Sequence, residues 1–353
     1  MADTPRILFV PVSGPMGMGE YARAATLARA IVQRWPAVQV QFVLSRAAPY
    51  AASVGFTTTW LESSATFHSS EVIRVLDVFR PQLVIFDNAG RTAQLLAARR
   101  VGARIVFVSS RRRQRARAFR LRWMRLLDEH WIAYPAIIAG ALGRLERLKL
   151  RLLGRPIVRY LDVILARATP ERCDALLAEL ALKSREFVLI VPGGGTGART
   201  AGGALTEFER AAERLAAGGA QVLYAGRWTG PPTRLAGVRS CADLPQSDLA
   251  ALLERAAVVL VNGGSTLLQA LACAAACVAV PIAGDQPERI RRCVDAGVTR
   301  SAPLAAEPMA QAVRALLDDA GTRAELARRA AALSLVDGIA VALGALAPYL
   351  GVS

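Results

Sequence analysis

The chain has 353 residues, 53% of them hydrophobic, with a net charge of +16 and a mean hydropathy of +0.32. That length suffices for two domains that each bury a core. No apolar run reaches the roughly 20 residues of a membrane span: the longest, "ALACAAACVAVPIAG" from Ala270, is interrupted by Pro281. Five cysteines without a CxxC pair, and only His68 and His130 as imidazoles, argue against a zinc site and for a reducing cytosol. Asp3 and the strand pattern that follows it do not read as a signal peptide.

In chain order, "RILFVPV" predicts a strand, Glu20 to Trp35 a helix, and "VQVQFVLS" a second strand. A Thr-rich loop follows, then a helix around Val72 to Phe79. "PQLVIFD" and "ARIVFVSS" read as short buried strands on either side of the helical "RTAQLLAARRVG". The rhythm resumes with "EFVLIV", a helix near Leu205 to Ala217, "AQVLYAG", a helix near Ser247 to Ala256, "AVVLVN", another helix and "CVAVPIAG". Near-continuous apolar strands alternating with helices indicate parallel sheets covered on both faces. The expected architecture is α/β with two Rossmann-like domains, 1–168 and 169–335, facing a central cleft at the carboxyl ends of their strands. The apolar helix in 336–353 has no obvious place in the second sheet and is a candidate to pack back on the first domain.

Between Arg111 and Arg159 lie 14 Arg and Lys against Asp128, Glu129 and Glu146, which accounts for +11 of the +16. Leu142, Leu145, Leu148 and Leu152 recur there at helical spacing. A basic amphipathic helix preceded by Trp and Tyr reads as a surface for anionic lipid, with Arg120, Trp123, Arg125, Trp131, Arg144, Arg147, Lys149 and Arg151 as its contact residues. A core helix with solvated arginines is the competing reading. Nucleic acid is not an expected partner, because the charge comes with bulky aliphatics rather than stacking aromatics.

The chemistry concentrates at glycine-rich junctions. "SGPMGMGEYARA" follows the first strand and places Gly17 and Gly19 in a turn, with Glu20 where a helix begins. "VPGGGTGART" sets Gly194, Gly195, Thr196 and Gly197 after a later strand, and "VNGGSTLLQAL" sets Gly263, Gly264, Ser265 and Thr266 at another strand-to-helix junction. Glycines let the backbone approach closely, and free N–H groups at a helix N-terminus suit a diphosphate. In "PIAGDQPER", Asp285 and Gln286 are suited to sugar hydroxyls, or equally to a helix N-cap before proline.

Together, "GGGTGA", "LPQSDLAALL", "NGGSTLLQAL" and "VAVPIAGDQPER" resemble the donor-binding half of metal-independent GT-B glycosyltransferases. They are similar to the transferase that adds N-acetylglucosamine to lipid I and to the broader UDP-glycosyltransferases. "GMGEYARAATLARA" resembles the first-domain loop of the same group, and that of a UDP-sugar hydrolase of pseudaminic acid synthesis. The resemblance implies a nucleotide-sugar co-substrate, no cofactor and no metal. Arg227 and Leu244 would lie at the nucleotide, Gly194 to Gly197 and Gly263 to Thr266 at the diphosphate, Gln269 at the ribose, and Asp285 with Gln286 at the sugar. Gly17 and Gly19 would leave room for an acceptor.

The departures are specific. Asn262 stands where plant-type members carry His, Gln269 where Glu holds the ribose, and Ala274 and Ala276 where glycine and proline frame a helix-to-strand turn. Glu20 occupies the position of the family's catalytic His, and Asp87 in "LVIFDNAG" matches its partner Asp. Two adjacent carboxylates repel, so one is expected to titrate nearer neutrality, leaving Glu20 a workable base tuned or oriented by Asp87. The alternative for Glu20 is complementing the dipole of its helix.

The reading is an inverting transferase at the cytosolic face of a membrane, with a lipid-linked or hydrophobic acceptor. A UDP-sugar hydrolase and a non-catalytic nucleotide-sugar-binding partner are the alternatives. An NAD-dependent dehydrogenase is least supported, since the second strand ends in Ser45 and Arg46 rather than an acid.

Overall fold

The computed structural model describes residues 4–14, 18–48, 54–193, 198–231, 237–242 and 244–351. The chain divides into two compact units, one comprising 1–164 and 336–353, the other 165–335. The division therefore falls four residues before the hinge expected near Ala168.

The first unit runs β1 (Arg6–Pro11), α1 (Gly19–Arg34), β2 (Gln39–Ser45), β3 (Thr57–Leu61), α2 (Ser69–Phe79), β4 (Leu83–Asp87), α3 (Thr92–Arg100) and β5 (Arg104–Ser109). It continues with α4 (Arg112–Ala118), α5 (Leu121–Met124), β6 (Glu129–Ile132), α6 (Ala136–Ala139), α7 (Arg144–Leu153) and β7 (Ile157–Tyr160). The second unit runs α8 (Pro170–Glu179), β8 (Phe187–Val191), α9 (Ala198–Ala217), β9 (Gln221–Ala225), β10 (Val238–Cys241), α10 (Gln246–Arg255), β11 (Val258–Asn262) and α11 (Ser265–Ala272). β12 (Cys277–Val280), α12 (Gln286–Asp295), β13 (Arg300–Ser301), α13 (Ala306–Asp318) and α14 (Ala320–Ala332) complete it, and α15 (Gly338–Leu350) belongs to the first unit.

Among the described residues the first unit builds a seven-stranded parallel sheet in the order β3-β2-β1-β4-β5-β6-β7, and the second a six-stranded parallel sheet in the order β10-β9-β8-β11-β12-β13. The central strands are apolar and buried on both faces, as helices on either side require. In each sheet the order reverses once, between β1 and β4 and between β8 and β11. Ligands of open α/β sheets bind outside the carboxyl ends of the strands at such a reversal.

In the first unit two regions depart from the expected elements, and the second unit adds β10, α12, β13, α13 and α14 to them. The Thr-rich loop contains β3, an edge strand that pairs Gln41 with Thr57 and Ser45 with Leu61. Its β-branched and aromatic "TTTWL" is strand-forming material that the missing alternation disguised. The basic stretch contains β6 and β7, so part of it is sheet rather than amphipathic surface.

α15 covers the face of the first sheet that α1 also covers. Ala342, Ala345, Leu346 and Leu350 join Ala24, Leu27, Ala28 and Ile31 in one core. Gly338 lies against the carbonyl oxygens of Leu161 and Val163, where a Cβ would collide. At the far end, the Tyr349 hydroxyl donates to Glu129 at 3.2 Å.

Candidate active site

The first cluster forms at the reversal between β1 and β4. Glu20, in the first turn of α1, is buried, and Arg23 lies three residues on along the same face of the helix. Asp87 closes β4. Arg23 grips it with Nε to Oδ2 and Nη2 to Oδ1, both at 2.7 Å. Asn88, the next residue, adopts the left-handed conformation (φ 53°), which Asn tolerates better than most side chains. Its Oδ1 accepts from the Ser110 backbone N–H at 2.9 Å, which fixes the direction of the amide. Nδ2 then faces Glu20 and donates to Oε1 at 2.8 Å, with the Ser110 hydroxyl close by. Arg111 brings Nη2 to 3.5 Å from the same oxygen.

Glu20 and Asp87 therefore share one cluster, but they do not pair. Asp87 is held by Arg23, because a guanidinium on the same helix face offers it two charge-assisted bonds. Asn88, not Asp87, is the direct partner of Glu20. The carboxyl shifted toward neutrality is that of Asp87: burial pushes it up to about 6, against the pull of Arg23 and with a further push from Glu20. Among the described residues no hydrogen bond reaches Oε2 of Glu20, so that oxygen can accept a proton from elsewhere. Gly19 opens α1 beside it, and Gly17 lies outside the described residues.

The second cluster forms where β8 and β11 meet. Asn262, at the end of β11, donates through Nδ2 to the Pro192 carbonyl and accepts through Oδ1 from the Gly264 N–H, both at 2.6 Å. Its side chain thus staples the two junction loops together. Gly263 packs so tightly that a Cβ would lie 2.8 Å from the side chain of Ile290, and at Gly264 it would lie 2.6 Å from Oδ1 of Asn262. α11 then starts at Ser265 without a side-chain cap, so its first N–H groups, with the hydroxyls of Ser265 and Thr266, can meet an anion. Gly194, Gly195, Thr196 and Gly197 lie outside the described residues.

The expected sugar contacts divide. Asp285 keeps its side chain 57% exposed while Arg289 Nη2 holds it at 2.9 Å. Gln286 is buried, and its Oε1 accepts from the Ile282 N–H at 2.8 Å, so that oxygen braces the turn after β12. Arg289, absent from the sequence reading, is buried and also donates to the Gly263 carbonyl, tying Asp285 to the glycine junction. The signal was available, since Asp and Arg four apart on a helix are neighbours. Gln269 is half-buried on α11, with Nε2 3.4 Å from Gln246 Oε1. Arg227 is exposed after β9, and Leu244 is half-buried just before α10.

No protein-family model matches this sequence, and no curated protein does. Solved structures match over the full length. A UDP-glucosyltransferase from Polygonum tinctorium capable of glucosylating indoxyl aligns at a TM-score of 0.67 and 15% identity, with 100% of both chains covered. The calicheamicin glycosyltransferase aligns at 0.65 and 17% identity over 99% of each. A Listeria monocytogenes protein assigned as a UDP-N-acetylglucosamine 2-epimerase aligns at 0.60 and 13% identity, over 99% of this chain and 98% of that one.

The chain has the GT-B fold. At such identities the likeness is one of fold alone, and the third neighbour is named for a different reaction from the first two.

On this GT-B scaffold the basic segment of the first unit differs from expectation. Trp131 is fully buried within β6, its Nε1 donating to Glu129, and Trp123 is buried edge-on against Phe107 at 5.2 Å. Both are core residues: β6 pairs with neighbours on both sides and buries Trp131, while Trp123, on α5, packs into the core against Phe107. Lys149 is half-buried, its Nζ donating to the Phe119 carbonyl at 3.1 Å. Arg120, Arg125, Arg144, Arg147 and Arg151 are exposed. No helix among the described residues is long and apolar enough to cross a membrane.

Proposed function

We propose that this chain is an inverting, metal-independent glycosyltransferase. It moves a sugar from a nucleotide diphosphate, UDP first among candidates, to a lipid-linked or hydrophobic acceptor at the inner face of a membrane. The observation that carries the reading is Glu20, a buried carboxylate at the reversal of the first sheet, held through Oε1 by Asn88 and with no hydrogen bond to Oε2 among the described residues. In this role Oε2 takes the acceptor hydroxyl proton as that oxygen forms its bond to the anomeric carbon. The bond from the anomeric carbon to the diphosphate breaks on the opposite face, and its electron pair leaves with the diphosphate. The N–H groups at the start of α11 would receive that charge, close to Gly263 and Gly264, and Asp285 would meet the sugar hydroxyls. Asp87, locked by Arg23, would shape the cluster rather than relay the proton. The UDP-glucosyltransferase and calicheamicin glycosyltransferase neighbours favour a nucleotide-sugar donor.

A second reading is a nucleotide-sugar-binding protein without transfer. It is favoured by Asn262, whose amide is engaged at both ends, by the Pro192 carbonyl and the Gly264 N–H. The experiment is a thermal-shift screen of nucleotide-sugars, followed by mass spectrometry of membrane extract incubated with the best donor. A sugar adduct on an extracted lipid supports transfer. Free sugar released without acceptor assigns hydrolysis, and binding without product assigns the second reading. No bound nucleotide-sugar would sink all three.

A further inference from the structure

α7 is fixed to the first unit along one side. Glu146 accepts from Arg115 Nε at 3.0 Å and Nη2 at 2.6 Å, Lys149 donates to the Phe119 carbonyl, and Leu150 and Leu153 are half-buried. On the other side Leu145, Leu148 and Leu152 are 71%, 49% and 75% exposed. Each is preceded by an arginine: Arg144, Arg147 and Arg151, all exposed. With 3.6 residues per turn, the three leucines make one ridge along the helix and the three arginines a second ridge beside it. An amphipathic helix ordinarily turns such a leucine ridge to the core. Here the ridge faces outward, uncovered among the described residues.

The charge on this segment is also uncompensated. All three acidic residues between 111 and 159 are engaged: Asp128 with Arg99, Arg104 and Arg155, Glu129 with Arg159, and Glu146 with Arg115. The arginines of the outer ridge therefore meet no carboxylate from their own segment.

We infer that α7 is a lipid-docking helix, with Leu145, Leu148 and Leu152 entering the headgroup–acyl boundary of an anionic leaflet while Arg144, Arg147 and Arg151 bind headgroup phosphates. A continuous ridge of aliphatic side chains flanked by unneutralised arginines is what anionic lipid recognises. A specific protein partner would call for aromatic anchors, and the tryptophans of this segment are buried. Leucines have nothing to gain from a nucleic acid. The inference rests on the proposed membrane-facing acceptor and names the surface that would hold the enzyme beside it, and its test does not require turnover.

The test is co-sedimentation of the full chain with vesicles of phosphatidylglycerol and phosphatidylcholine, against phosphatidylcholine alone. It is run on the native chain and on L145S/L148S/L152S. The native chain binds the anionic vesicles and releases as salt rises, and the variant binds roughly tenfold less or worse. Because the three leucines are largely exposed, the variant stays folded, its melting temperature lowered only modestly by the weaker helix propensity of serine. A second variant, R144Q/R147Q/R151Q, loses the preference for anionic lipid. Absence of binding to anionic vesicles, or equal binding by the serine variant, overturns the proposal. So does a concentration-dependent dimer in sedimentation velocity that the serine variant abolishes, which would assign the ridge to a second copy of the chain. Vesicle binding without sugar transfer leaves the docking helix standing and sinks the catalytic reading.

Discussion

Arg23 and Asp87 neutralise each other inside the first unit through two parallel 2.7 Å hydrogen bonds, both side chains buried. Each group depends on the other, since a buried charge without a partner costs far more than the pair gains. Arg23→Met leaves the carboxyl of Asp87 stranded and is expected to destabilise the first unit by about 3–5 kcal/mol. Adding Asp87→Asn removes the stranded charge and recovers part of that loss. Urea denaturation of the single and double variants measures both, and additive losses would show that the residues do not act as a pair.

Asn88 and Glu20 supply the catalytic prediction. Glu20→Gln keeps an oxygen that can accept from Asn88 Nδ2 but removes the site for a proton. Turnover should fall by about 100-fold or more while donor affinity stays near the native value. Asn88→Ala keeps the carboxylate but frees its rotamer and leaves the Ser110 N–H without Oδ1. It should lower turnover less than Glu20→Gln does, again with donor binding kept. Calorimetric donor binding beside steady-state rates separates these outcomes, and near-native turnover in Glu20→Gln ends the assignment.

Much of this was legible in the chain. Continuous apolar strands announced two parallel sheets, and the glycine junctions marked the strand-to-helix turns at each reversal. Glu20 and Asp87 were identified from position. Their true partners were not, because Arg23 looks like any helical arginine until α1 packs over β4. Asn88 hid beside Asp87 for a similar reason, since its role depends on a left-handed backbone and on the N–H of Ser110, just beyond β5. Trp123 and Trp131 misled because aromatic residues among arginines suit an interface and a core equally well. The pairing of β6 on both sides decides for Trp131, and the packing of α5 against Phe107 decides for Trp123. α15 shows the opposite case: its apolar length was plain, but its place beside α1 is a long-range fact.

The alanine at the end of α11 is where composition and backbone conflict. Ala274 adopts φ 50°, the left-handed region that glycine enters without cost. Ala274→Gly relieves that strain at the expense of a looser unfolded chain. It should stabilise the second unit by about 1 kcal/mol. A rise in the urea midpoint with an unchanged slope reads that gain, and a lowered midpoint would mean that the Ala274 methyl group packs better than its exposure suggests.

His130 makes the stability of the first unit depend on pH. It is buried beside Phe119, with ring centroids 5.1 Å apart, and Nε2 lies 2.8 Å from the Ser109 hydroxyl. Burial pushes the imidazole from 6.5 down to about 3, with Arg115 adding to the effect. Between those values the unfolded chain binds a proton that the folded chain does not, so stability is full above 6.5 and falls as pH drops toward 3. Asp87 acts in the opposite sense: its folded value is raised from 3.8 to about 6, so it favours folding at low pH and loses that contribution as pH rises through 6. Comparison with His130→Gln cancels the Asp87 contribution, which both chains share. The native chain should lose up to about 1.4 kcal/mol per pH unit more than the variant within the histidine window. Urea denaturation at stepped pH tests this. Parallel stability curves for the two chains would mean that His130 carries its proton in the folded state, most simply by donating from Nε2 to Ser109 and from Nδ1 to a group that moves to meet it.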